Sequence, residues 1–89
     1  MSDQFDKLRE LLGNQIRWPM VYLFKFVIPN EEEKLAHLKS FLPNQGKIAT
    51  RESKNGKYVS VSCKALMKSS ESIIDVYKSV TVIDGIVSL

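Results

Sequence analysis

The chain has few of the residues that carry catalytic and metal chemistry. Its 89 residues include one cysteine, Cys63, and one histidine, His37. A single cysteine excludes an internal disulfide and any metal site built from cysteines alone, and it fits a reducing compartment. A Ser-His-Asp triad would depend on His37, and no glycine-flanked nucleophile elbow presents a serine to it. We therefore expect that the chain is not an enzyme and binds no metal or cofactor.

Long hydrophobic runs are also missing. The longest apolar stretch, residues 20–28, is interrupted by Lys25 and is far shorter than the roughly 20 residues that span a bilayer. The first four residues are polar and acidic, unlike the start of a secretory signal peptide. These features predict a soluble cytoplasmic protein that makes no membrane contact.

Basic residues are concentrated in the middle of the chain, although the net charge is only +3. Between residues 45 and 68 a single acidic residue, Glu52, stands against six basic ones: Lys47, Arg51, Lys54, Lys57, Lys64 and Lys68. Such a segment suits a phosphate group or an acidic protein. It is also typical of a solvated strand pair that lysines protect from aggregation, which we take as the default interpretation.

The hydrophobic pattern predicts a short helical arm before a single domain. Residues 1–17 carry apolar side chains at helical spacing, with Ser2 as the predicted N-cap and Gly13-Asn14 as the stop. An arm this short is not stable alone, so it packs on its own domain or on a partner, and we favour its own domain. Residues 18–89 make up the domain.

Within the domain, the pattern reads as strand, helix, strand, strand, helix, strand. The predicted bounds are 20–28, 47–53, 57–67 and 86–89 for the strands, and 29–42 and 71–83 for the helices. Asn30 is the predicted N-cap of the first helix, with a capping box to Glu33. Asn55-Gly56 predicts a type I′ hairpin turn. Ser69 or Ser70 is expected to cap the last helix.

This order predicts an α+β fold, the ferredoxin-like βαββαβ two-layer sandwich. Its four-stranded antiparallel sheet would have two helices on one face and leave the other face open. The loop "IPNEEE" after the first strand has neither the Cys-x-x-Cys of copper chaperones nor the arginine and glycines of acylphosphatases. His37 is expected to point to solvent, and Cys63 to lie inside the sheet as a small apolar residue.

Alternation along the strands predicts which side chains lie on the open face. The third strand turns Tyr58 and its polar neighbours outward and buries Val59 and its apolar neighbours. The candidate interaction face consists of Lys25, Arg51, Tyr58, Ser60, Ser62 and Lys64. Tyrosine and arginine are frequent interface anchors, and lysines steer acidic partners. Ser60 and Ser62 fit equally well as ordinary exposed strand residues.

Three segments resemble the YbeD-like family, a family of small bacterial proteins of unknown function. They are "FKFVIP" at 24–29, "SKNGKYVSVS" at 53–62 and "VYKSVTVIDGIVSL" at 76–89, and the resemblance extends over residues 18–89. It implies a ferredoxin-like, ACT-like fold without catalytic residues, and a regulatory role.

We therefore predict a non-enzymatic regulatory or protein-interaction domain that works through the open sheet face. Its partner would be another protein or a second copy of the chain. The first alternative is an ACT-like sensor that binds a small ligand near Asn30 at a dimer interface. The second is a weak RNA-binding module in which Tyr58 stacks a base. Nucleic acid ranks last, because Leu23 and Ser60 occupy the other two stacking positions.

Overall fold

The computed structural model describes residues 4–15 and 17–89, and Ser2, the predicted cap of the arm, lies outside them. Within these residues there are three helices and four strands. In chain order they are α1 (Asp6–Gln15), β1 (Met20–Pro29), α2 (Glu32–Phe41), β2 (Lys47–Glu52), β3 (Tyr58–Met67), α3 (Ser70–Val80) and β4 (Val87–Ser88). The predicted order of elements in the domain is confirmed.

The four strands form one antiparallel sheet in the order β2-β3-β1-β4. The two long central strands pair along ten residues each, from Met20 opposite Met67 to Pro29 opposite Tyr58. The helices α2 and α3 connect β1 to β2 and β3 to β4. This is the topology of a ferredoxin-like sandwich, so the predicted α+β fold class is confirmed.

The core lies between the sheet and the helices, because one parity of each central strand is apolar and faces inward. From β1 the side chains of Phe24, Phe26 and Ile28 are fully buried. β3 contributes Val61 and Cys63, which are also fully buried. Burying these side chains contributes about 1.5–3 kcal/mol for each large one. Within residues 4–15 and 17–89, no helix covers the opposite parity of the same strands, whose side chains are exposed or half-buried.

The arm packs on its own domain, against α3. Leu12 is buried in the core, and the ring of Phe5 stacks on Tyr77 with 6.3 Å between ring centroids. Arg9 joins the two helices, since its Nε donates to a carboxylate oxygen of Glu71 at 2.5 Å. The predicted stop at Gly13-Asn14 is wrong, because α1 continues to Gln15.

The predicted type I′ turn is wrong. That turn requires positive φ at both central residues, and within the described chain only glycines, including Gly56 at +72°, have positive φ. The carbonyl of Ser53 accepts from the amide of Gly56 at 3.0 Å, which closes the turn one residue earlier. Asn55 completes it with its side chain, whose Oδ1 accepts from the Lys57 amide at 3.0 Å.

The two helices that connect the strands, α2 and α3, begin differently from each other. Ser69, one of the two predicted caps, is the N-cap of α3, and it forms a capping box with Ser72. The predicted cap of α2 is wrong, because the N-cap is Glu31 and makes no side-chain capping bond. At the C-terminal end, α3 stops at Val80 rather than at residue 83, and β4 is only two residues long. The β-branched run near residue 80 makes continued helix unfavourable.

Candidate interaction face

Strand register brings the six predicted residues together on the open face of the sheet. Residues directly opposite each other in an antiparallel pair share a face. Lys25 lies opposite Ser62 on β3, and Ser60 lies opposite Arg51 on β2. Tyr58 and Lys64 follow by alternation along β3. The open face, as used below, consists of Val21, Leu23, Lys25, Val27 and Pro29 on β1, Lys47, Ala49 and Arg51 on β2, Tyr58, Ser60, Ser62, Lys64 and Leu66 on β3, and Val87 on β4.

The charge on this face has one sign. Its four charged side chains are Lys25, Lys47, Arg51 and Lys64, all exposed, and its strand positions include no Asp or Glu. Lys47 and Lys64 lie directly opposite each other, and like charges in that position are mutually destabilising. Within the part of the chain that the structure describes, no ion pair joins any of these four cations to an acidic side chain.

Apolar side chains complete the face, and sequence reasoning did not include them in the candidate site. Val21, Leu23, Leu66 and Val87 are each at least 50% exposed. Val21 lies opposite Leu66, and Leu23 lies beside that pair on β1. The sequence of β1 could have indicated them, because both faces of this strand are apolar apart from Lys25. A strand that is apolar on both sides is typical of one that is covered on both sides.

Two shallow depressions mark the ends of the face. One, of about 360 Å³, is lined by Val27, Arg51, Tyr58, Ser60 and neighbours from the hairpin. The other, of about 260 Å³, is lined by Val21, Lys47, Lys64, Leu66 and neighbours. Each depression therefore combines cations with apolar surface, and Glu52 adds a carboxylate to the lining of the first. The Ser60 hydroxyl donates to the carbonyl of Arg51 at 3.3 Å, so it is used partly within the sheet.

Asn30, the predicted ligand-loop residue, lies at the end of β1 and bonds to the hairpin. Its Nδ2 donates to the Gly56 carbonyl at 2.9 Å and to a Glu52 carboxylate oxygen at 3.3 Å. Its backbone amide donates to the Lys57 carbonyl at 2.9 Å. The side chain is therefore engaged in joining two loops, and it does not belong to the open face.

The lone cysteine and the lone histidine lie in different surroundings. Cys63 is fully buried in β3, and burial raises the pKa of its thiol, which disfavours the reactive thiolate. His37 is exposed on α2, and the centroid of its ring lies 4.8 Å from that of the Phe41 ring. Within the described ranges, no group of three His, Cys, Asp or Glu residues is arranged to hold a metal ion. Nor is any helix there long and apolar enough to cross a bilayer.

Comparison with known proteins assigns the chain to a family. The family model described as "Protein of unknown function (DUF493)" matches residues 14–89. The chain belongs to this family. The YbeD-like resemblance is confirmed to that extent, since the YbeD-like proteins are members of DUF493. No match was found among the curated proteins or among the solved structures.

Proposed function

We propose that this DUF493 domain is a non-enzymatic regulatory or protein-interaction domain that works through the open face of its sheet. The observation that carries the proposal is the exposure of three adjoining apolar side chains, Val21, Leu23 and Leu66, on one face. Scattered exposed apolar residues are normal, but a contiguous group of them marks an interaction surface. The neighbouring cations provide the polar surroundings that such interfaces have.

The two alternatives receive less support from the same structure. The small-ligand sensor was predicted to use Asn30, whose side chain instead joins the loop to the hairpin. The RNA-binding module requires aromatic side chains at three positions of the open face. Leu23 and Ser60 occupy two of these positions, so only Tyr58 is left to stack on a base.

The proposal is tested by affinity capture from the native cells with wild type and two matched variants. Leu23→Asp places a charge in the apolar part of the open face, where Leu23 is 55% exposed. Val82→Asp is the control, because Val82 is similarly exposed, at 64%, but lies in the turn after α3. Both changes are at exposed sites, where substitutions rarely alter stability by more than about 0.5 kcal/mol.

The expected result is a protein that wild type and Val82→Asp both retain and that Leu23→Asp loses. The capture is repeated after nuclease treatment. A partner that disappears with nuclease would replace the proposal with nucleic-acid binding. Equal recovery by all three proteins would show that the open face is not the working surface.

A further inference from the structure

We propose that the partner of the open face is an acidic amphipathic helix from another protein. This inference rests on the proposed function and specifies the occupant of the same surface. Three properties of the face lead to it: the groups that it offers for hydrogen bonding, the sign of its charge, and its size.

The face of a sheet presents side chains, while its backbone groups are already bonded between strands. The amides and carbonyls of β1 and β3 pair with each other along ten residues. A segment that lies on this face must therefore satisfy its own backbone, and a helix does so internally. Added strands bind at sheet edges instead. A helix on the open face would cover the side of the sheet that antiparallel sheets otherwise leave to solvent.

The charge of the face selects carboxylates in the partner. Lys47 and Lys64 repel each other across β2 and β3, and a carboxylate between them would remove that repulsion. Lys25 lies diagonal to Lys64, at about 7–8 Å between Cα atoms in such a pairing. The apolar side chains Val21 and Leu23 lie beside these cations on β1. The matching helix therefore has an apolar stripe for β1 and acidic residues on the flank that faces β2 and β3.

A second copy of the chain is a poor match for the same reason. Two open faces stacked on each other would bring four cations against four cations, with no acidic residue at the strand positions of either face. The size of the face also suits one helix. β3 is ten residues long, about 33 Å at the usual rise per residue. A helix of about 18 residues is about 27 Å long and about 10 Å wide.

The test is selection from a displayed library of 18-residue amphipathic helices. The apolar stripe is fixed by pattern, and the polar positions are randomised among Glu, Gln and Lys. Selection uses the whole chain at about 50 mM salt, where surface charges are weakly screened. Binding of the selected peptides is then measured to wild type, Leu23→Asp, Lys64→Glu and the control Lys7→Glu, which reverses an exposed charge on α1.

The expected outcome is enrichment of Glu over Lys in the selected peptides. Their affinity should fall about tenfold or more in Leu23→Asp and in Lys64→Glu, and stay unchanged in Lys7→Glu. The Lys64→Glu variant should in turn prefer versions of the same peptides that carry Lys. This reversal identifies direct contact with the face, because a loss of folding would not produce it.

The other outcomes separate this inference from the function on which it rests. Selected peptides without an acidic excess that still fail on Leu23→Asp would overturn the inference and keep the proposed function. Failure to select any peptide, or preferential binding of a single-stranded RNA of about 20 nucleotides at this face, would also overturn the inference. A dimer by sedimentation that Leu23→Asp dissociates would assign the face to a second copy. Peptides that bind Leu23→Asp and wild type equally would overturn both proposals.

Discussion

At the scale of single residues, Gly46 occupies a position against Cys63 where a side chain has no room. A Cβ added at Gly46 would come within 2.5 Å of the Cys63 Sγ, in a core that leaves no room for it. We expect Gly46→Ala to lower the free energy of unfolding by about 1–3 kcal/mol, as overpacking does. Urea denaturation with an unchanged m-value measures the change.

The cause of that loss is checked in a double-mutant cycle. Cys63→Ala removes the sulfur, so Gly46→Ala should cost less in the Cys63→Ala background than in wild type. Strictly additive costs would show that Gly46 is required for another reason. Sequence reasoning correctly placed Cys63 inside the sheet, but it had no means of pairing a loop glycine with a residue 17 positions away.

A pair of tyrosines gives a pH prediction at the same scale. The hydroxyls of Tyr22 and Tyr77 lie 2.8 Å apart. Burial, together with this hydrogen bond, raises the pKa of Tyr77 well above its usual range. The folded state therefore keeps a proton that the unfolded state loses above about pH 10. The resulting stability is fully present below that pH and declines as the pH rises further.

Comparison with Tyr77→Phe isolates this contribution, because the lysines titrate alike in both proteins. Between about pH 9 and 11.5, the free energy of unfolding should fall more steeply in wild type than in Tyr77→Phe. Denaturant titrations at fixed ionic strength measure the two slopes. Parallel slopes would mean that Tyr77 ionises as easily in the folded chain as in the unfolded one.

At the scale of helices and strands, local patterns predict well what depends on near neighbours. The alternation in β1 and β3 correctly assigned the buried and open parities, and Ser69 caps α3 as its sequence indicates. The wrong cap of α2 arises where a distant segment competes for the same group. Asn30 resembles an N-cap locally, but the Gly56 carbonyl, 26 residues away, accepts from its side chain.

Substitution of Asn30 distinguishes the two roles. Asp is as good an N-cap as Asn, so a capping role predicts that Asn30→Asp is neutral. The observed bonds need the Nδ2 donor, and Asp would instead place a carboxylate beside the Glu52 carboxylate and the Gly56 carbonyl. We expect Asn30→Asp to lower the free energy of unfolding, measured by urea denaturation, by at least about 0.5–1.5 kcal/mol. A neutral result would contradict the bonds to the hairpin.

At the scale of the whole molecule, the sheet has one covered face and one open face. The placement of the six candidate residues on the open face could be predicted from sequence, because side chains alternate between the two faces along a strand. The direct opposition of Lys47 and Lys64 could not, since it depends on the register between β2 and β3. The contact between the apolar side chains of β1 and β3 could not be predicted either, because it depends on the register between those two strands.

The central claim is that this open face contacts another macromolecule in the cell. Site-specific photo-cross-linking tests it most directly, with benzoylphenylalanine placed at Leu23 or at Ser62 on the face, and at Val82 as the exposed control. The account predicts a heavier, light-dependent adduct from the two face positions and none from position 82. An adduct from position 82 alone would contradict it. So would the absence of any adduct from the two face positions in the native cells.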